Sequence, residues 1–145
     1  MEESTKAKVV FLDASMLVAA VLSREGGSFR VVTEASVRGT LLITSRYAYQ
    51  ETKQALQEKY PQFLTELHRL SPLFAILPNP PEKTIRKVID WIDYKDAPIL
   101  AAAIRHKANV LITLDRKHFL ENEILKEKIE HIEILTPGSF IQKYF

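Results

Sequence analysis

The chain contains no cysteine. That absence excludes disulfides, thiolate zinc sites and cysteine nucleophiles together, and it suits a reducing compartment. Glycine is scarce as well, with four residues, and none builds a phosphate-cradling loop. Gly26-Gly27 follows a helical stretch and lacks the Lys-Ser/Thr sequel of a nucleotide-binding loop. No serine stands in a nucleophile-elbow pattern. No apolar run is long enough to span a bilayer, and the polar start Met1-Glu2-Glu3-Ser4-Thr5-Lys6 lacks the apolar core of a signal peptide. A cytoplasmic location with no membrane partner is therefore expected. Neither charge sign dominates: a formal net charge of +2 permits a nucleic-acid partner without indicating one. His68, His106, His118 and His131 show no paired ligand spacing, which argues against zinc.

The 145 residues, 46% of them hydrophobic and 26% charged, fit one soluble globular domain over residues 1–145. Apolar runs alternate in character along it. Lys8 to Leu12, Leu41 to Ile43, Leu73 to Leu77, Val110 to Thr113 and Ile132 to Leu135 read as short buried strands. Helical spacing covers Ser15 to Leu22, Ser28 to Arg38 (with Gly39 just beyond its end), a segment capped by Ser45 and halted at Pro61, and Gln62 to Leu70. It resumes over Glu82 to Tyr94 and in the helix opened by Asp96-Ala97-Pro98. It is weaker over Arg116 to Lys128 and returns at Ser139 to Phe145. Short apolar strands separated by helices imply parallel pairing with crossovers. The expected fold is an α/β three-layer sandwich, a mostly parallel sheet of four or five strands with helices on both faces. Ligands in such sheets bind beyond the carboxyl ends of the strands, near a topological switch.

Four acids stand out in such a fold. Asp13 and Asp115 lie just past the ends of two different strands, Glu51 at the edge of a helix's inward face, and Asp96 one turn before Leu100. Gathered together, such carboxylates would repel one another and raise each other's pKa, and a hard divalent cation would relieve both burial cost and repulsion. Each acid also has a purely structural reading. Asp13 and Asp96 could cap the helices they precede, Asp115 could be a turn residue, and Glu51 could pair with Lys53 or Lys59 across solvent. Arg46, Arg116, Lys117 and His118 could touch phosphates, Tyr47 and Tyr49 could stack on bases, and Trp91 is expected in the core or a subunit contact.

The segments Val9-Val10-Phe11-Leu12-Asp13-Ala14-Ser15, Gln50-Glu51-Thr52, Asp96 to Ala103 and Leu111 to Phe119, in this order and spacing, resemble a PIN domain, the nuclease fold that includes the VapC-type toxins. The resemblance spans nearly the whole chain. It matches Asp13, Glu51, Asp96 and Asp115 to the four family acids, and Ser15 and Thr113 to the hydroxyl positions that support them. It implies an endoribonuclease dependent on Mg2+ or Mn2+, in which Asp13, Asp96 and Asp115 contact the metal and Glu51 binds a second cation or orients water. It further implies an RNA substrate, a homodimer and, for toxin members, an antitoxin partner. The competing expectations are a non-catalytic RNA- or protein-binding scaffold and a nuclease of RNA processing or of DNA.

Overall fold

A computed structural model describes residues 9–145. Five strands form one all-parallel sheet in the order β3-β2-β1-β4-β5. They are β1 (Val9–Leu12), β2 (Leu41–Ser45), β3 (Ala75–Leu77), β4 (Val110–Ile112) and β5 (Glu133–Leu135). Val10 aligns with Leu42 on one side and with Val110 on the other, so β1 is central and buried on both faces. That is why Val9 to Leu12 is a continuous apolar run with no polar alternation. Lys8, which the sequence also assigns to this strand, lies outside the described residues.

Adjacent β1 residues feed different cores. Val10 and Leu12 join a cluster with Met16, Leu17, Val31, Leu67 and Phe140. Phe11 joins another with Ile43, Leu100, Leu111, Phe119 and Leu125. The first core is covered by α1 (Ala14–Leu22), α2 (Gly27–Glu34), α4 (Leu64–Leu70) and α8 (Pro137–Tyr144). The second is covered by α5 (Glu82–Val88), α6 (Ala97–Arg105) and α7 (Glu123–Lys128). Helix α3 (Arg46–Lys59) gives Leu56 to one core and Ala48 to the other. The result is the expected three-layer sandwich. Because the chain builds β1, β2 and β3 outward and then crosses to β4 on β1's other flank, the topological switch falls between β1 and β4.

Local signals place the helix starts. The Ser45 hydroxyl accepts the Ala48 N–H at 3.2 Å and begins α3, which stops at Tyr60, before Pro61. Pro98 occupies the first turn of α6, where its missing N–H is not needed. Thr136 caps α8 and Asn122 caps α7.

Several boundaries differ from the sequence reading, each for a local reason. Pro72, with a fixed φ and no N–H to donate, closes a tight turn at Ser71–Leu73, so β3 starts at Ala75 and not at Leu73. The Ser28–Arg38 helix ends at Glu34 and tightens into a turn at Ser36–Arg38, closed by Gly39 at φ 78°. The Glu82–Tyr94 helix ends at Val88. Beyond it, the Asp93 side chain takes the Lys95 N–H at 3.0 Å and its carbonyl takes the N–H groups of Asp96 and Ala97, which ties the chain into turns. The weak signal over Arg116 to Lys128 divides into a wide π-type turn at Arg116–Leu120 and α7.

Candidate acidic active site

Asp13 leaves the carboxyl end of β1 and is only 5% exposed. Its N–H donates to the Ile112 carbonyl of β4 at 3.0 Å, which holds it at the switch between the two strands. One carboxylate oxygen accepts the Ala14 N–H at 2.8 Å. The other accepts the Thr113 hydroxyl at 2.6 Å and the Ser15 hydroxyl at 3.1 Å. The capping reading of Asp13 is thus correct as far as it goes, since one oxygen caps α1. Ser15 and Thr113 meet at 3.3 Å and also accept backbone N–H groups, Ser15 from Leu114 and Thr113 from Asp115. Two hydroxyls therefore tie Asp13 to the strand end that carries Asp115.

Asp96 precedes α6 but makes no capping hydrogen bond. Its carboxylate turns to His118 instead, with Oδ2 at 2.9 Å from Nδ1. Asp115 divides its oxygens. Oδ1 accepts the His118 N–H at 3.0 Å, as the turn reading expects, while Oδ2 lies 3.3 Å from the His118 Nδ1. Asp96, Asp115 and His118 offer ligand atoms that all lie within 4.8 Å of one another. Among the described residues Glu51 has no ion pair with Lys53 or Lys59.

The electrostatics tie the four acids together. Burial, then the charges of Asp13 and Asp96, push the Glu51 carboxyl up to about 6, opposed by the Tyr47 hydroxyl. Burial, then the charges of Asp13 and Asp115, push Asp96 up to about 6 as well, opposed by His118. Asp13 is raised by burial and, more weakly, by Asp115, against the hydrogen bonds from Thr113, Ala14 and Ser15. So the four acids named from sequence share one electrostatic neighbourhood, in which ionised carboxylates oppose one another. Such a donor set, oxygen-rich with one imidazole, fits a divalent cation.

Sequence reasoning misses two residues at this place. It reads His118 as a phosphate contact and its histidine spacing as uninformative, yet the ring bridges two of the acids. Asp93 faces the same ring, its Oδ2 at 4.0 Å from Nε2. The available signal is the three-residue step from Asp115 to His118, which a search for paired histidines passes over. Of the other candidates, Arg116 is engaged by Glu121 at 2.9 Å, Tyr49 packs against Phe74, and the Tyr47 hydroxyl donates to the Lys95 carbonyl at 3.2 Å. Trp91 lies half-buried against the second core. No helix among the described residues is long and apolar enough to cross a membrane.

The family model of the PIN domain matches residues 9–117. The chain belongs to the PIN-domain family. No curated protein sequence matches this PIN domain. Solved structures share its fold. PAE2754 from Pyrobaculum aerophilum has a TM-score of 0.64 at 18% identity, covering 93% of this chain and 88% of that one. VapC20 of Mycobacterium tuberculosis, a sarcin-ricin loop cleaving toxin, has a TM-score of 0.58 at 16% identity, covering 74% and 91%. VapBC2 from Rickettsia felis, solved with a DNA fragment from their promoter, has a TM-score of 0.64 at 17% identity, covering 87% and 98%.

Proposed function

We propose that this PIN domain is a metal-dependent endoribonuclease, with Asp13, Glu51, Asp96 and Asp115 as its functional carboxylates and Mg2+ or Mn2+ as its cofactor. The observation that carries the reading is the gathering of these acids at the sheet's topological switch, where burial first and the neighbouring carboxylates second raise both Glu51 and Asp96 to about 6. A cation bound there would polarise phosphodiester oxygens and activate water. Asp96 and Asp115 would hold it most directly, since Asp96 Oδ2 and Asp115 Oδ2 are not used for capping. Asp13, fixed by Thr113 and Ser15, contributes its charge in one orientation. Glu51, coupled to Asp13 and Asp96, would orient the attacking water or accept its proton.

The reading extends to a toxin acting on RNA and restrained by an antitoxin. Its support is the fold shared with a sarcin-ricin loop cleaving toxin and with a protein solved as VapBC2.

The test incubates the full chain with single-stranded RNA or the equivalent DNA, in Mn2+, Mg2+ or chelator, beside Asp96→Asn. RNA cleavage is expected only with a divalent cation, and at least a hundredfold less in the variant. No RNA cleavage by folded protein with either metal, or undiminished cleavage by Asp96→Asn, would overturn it. Cleavage of DNA alone would overturn the ribonuclease reading in favour of a DNA-directed nuclease.

A further inference from the structure

His118 is the residue at this site that the four-carboxylate reading leaves unused. It sits on the π-type turn Arg116–Leu120, a wide turn in which Leu120 N–H reaches back to the Asp115 carbonyl at 3.1 Å and Glu121 N–H to the Arg116 carbonyl at 2.7 Å. The turn folds the ring back over the carboxylate that begins it. The Asn122 amide fixes this arrangement by donating to the His118 carbonyl at 3.0 Å and to the Trp91 carbonyl at 2.9 Å.

The ring's two nitrogens face different partners. Nδ1 lies 2.9 Å from Asp96 Oδ2 and 3.3 Å from Asp115 Oδ2. Neighbouring donors around a six-coordinate ion with bonds of about 2.1 Å lie roughly 3 Å apart. Both distances from Nδ1 match that spacing, and all three ligand atoms lie within 4.8 Å of one another. Nε2 faces Asp93 Oδ2 at 4.0 Å, and the Asp93 Oδ1 is held by the Lys95 N–H at 3.0 Å. At this distance Asp93 acts through its charge and not through a hydrogen bond; a carboxylate behind the far nitrogen of a metal-binding imidazole favours the proton there and leaves the near nitrogen as a donor.

We propose that His118 is a metal ligand through Nδ1, with Asp93 orienting the ring, and that this nitrogen makes the site selective for transition-metal ions over Mg2+. The proposal rests on the metal-dependent reading above and adds the imidazole to it. On binding, the ion takes the Nδ1 lone pair. The single proton of the neutral ring then resides on Nε2, facing Asp93, and any second proton leaves to solvent. An all-carboxylate site suits Mg2+ and Mn2+ alike, whereas an imidazole donor raises affinity least for Mg2+, more for Mn2+ and most for Co2+.

The test is metal binding without substrate. Calorimetric titration with Mg2+, Mn2+ and Co2+ is made on the wild type, His118→Ala, Asp93→Asn and Asp96→Asn. Alanine at position 118 retains the backbone N–H that Asp115 accepts, and melting temperature verifies folding. His118→Ala is expected to weaken Co2+ binding most, on the order of a hundredfold, Mn2+ about tenfold, and Mg2+ least. Asp93→Asn is expected to reproduce the order with smaller losses. In the wild type, Mn2+ should broaden the His118 ring resonances in NMR spectra more than those of His68 or His131. Equal losses for all three ions, or tighter binding once the ring is removed, would overturn the ligand role while leaving a carboxylate site in place. A folded wild type that binds none of the three ions would defeat both this proposal and the reading beneath it.

Discussion

The Thr113 hydroxyl donates a 2.6 Å hydrogen bond to Asp13 Oδ2 across 100 residues of sequence, and the hydroxyl oxygen in turn accepts the Asp115 N–H at 3.0 Å. One buried hydroxyl thus fixes the acid at the end of β1 and the backbone of the acid beyond β4. Thr113→Val keeps the shape and removes both bonds. It leaves Asp13 with one donor fewer and orphans an N–H, so a loss of about 1–3 kcal/mol is expected in urea unfolding. Thr113→Ser should recover most of it. A Val variant as stable as the wild type would show that the hydroxyl does not hold the two strand ends.

The raised carboxyls give a pH dependence with a definite sign. Glu51 and Asp96 rise to about 6 from ordinary values of 4.5 and 3.8. The folded protein therefore binds protons more tightly than the unfolded chain between roughly pH 4 and 6. Stability from these groups is full below that window and is lost as pH rises through it. Glu66 and Glu133, lowered by Arg69 and Lys143 among others, act in the opposite direction, so the wild-type curve alone is ambiguous. The difference between wild type and Glu51→Gln isolates one group. Without metal the two should be matched near pH 4, while at pH 7 the Gln variant should be more stable by on the order of 1 kcal/mol, allowing for solvent screening. A difference that does not change with pH would contradict the coupling.

Much of this arrangement is legible in the sequence, because it follows from patterns with few alternatives. A run such as Val9-Val10-Phe11-Leu12 can be accommodated only where both sheet faces are covered, and Asp13 at its end is then placed at the switch. Asp96 is harder. Its position before Ala97-Pro98 favours a cap, and only the structure shows the carboxylate directed to His118. His118 and Asp93 escape because their roles come from turn geometry. A π-type turn has no apolar periodicity to announce it, and Asp93 lies in turns beyond the end of α5 that its own side chain helps to close by accepting the Lys95 N–H. Where a side chain competes with the helix ladder, periodicity alone extends the helix too far.

The coupling between Asp96 and Glu51 can be read directly. In Glu51 burial is the largest cause of the shift, followed by the charges of Asp13 and Asp96. Asp96→Asn removes one of those charges with little change of shape. The Glu51 pKa should fall from about 6 toward its ordinary value by a few tenths of a unit up to about one, leaving the burial part in place. Carboxyl-carbon NMR titration of the metal-free protein measures this. An unmoved Glu51 would place it outside the electrostatic reach of Asp96, and with it outside a shared cation site.

Asn122 is the remaining lever on the site, and it acts at a distance from the acids. Its Oδ1 accepts the Leu125 N–H at 3.0 Å and caps α7, while its Nδ2 donates to the carbonyls of Trp91 and His118. The first bond is local to the helix. The other two join the loop that carries Asp93 and Asp96 to the turn that carries His118. Asn122→Ala removes all three and should cost about 2–3 kcal/mol, of which the cap accounts for roughly 1. Asn122→Asp retains an oxygen to cap α7 but can donate to neither carbonyl, so it should recover the cap's share alone. Hydrogen exchange distinguishes the two contributions: both variants should speed exchange across residues 116–121, whereas only the alanine variant should speed it at the start of α7. If Asn122→Asp left residues 116–121 as protected as the wild type, the amide would be a helix cap and nothing more, and the His118 turn would be held without it by Asp115 and its own backbone bonds.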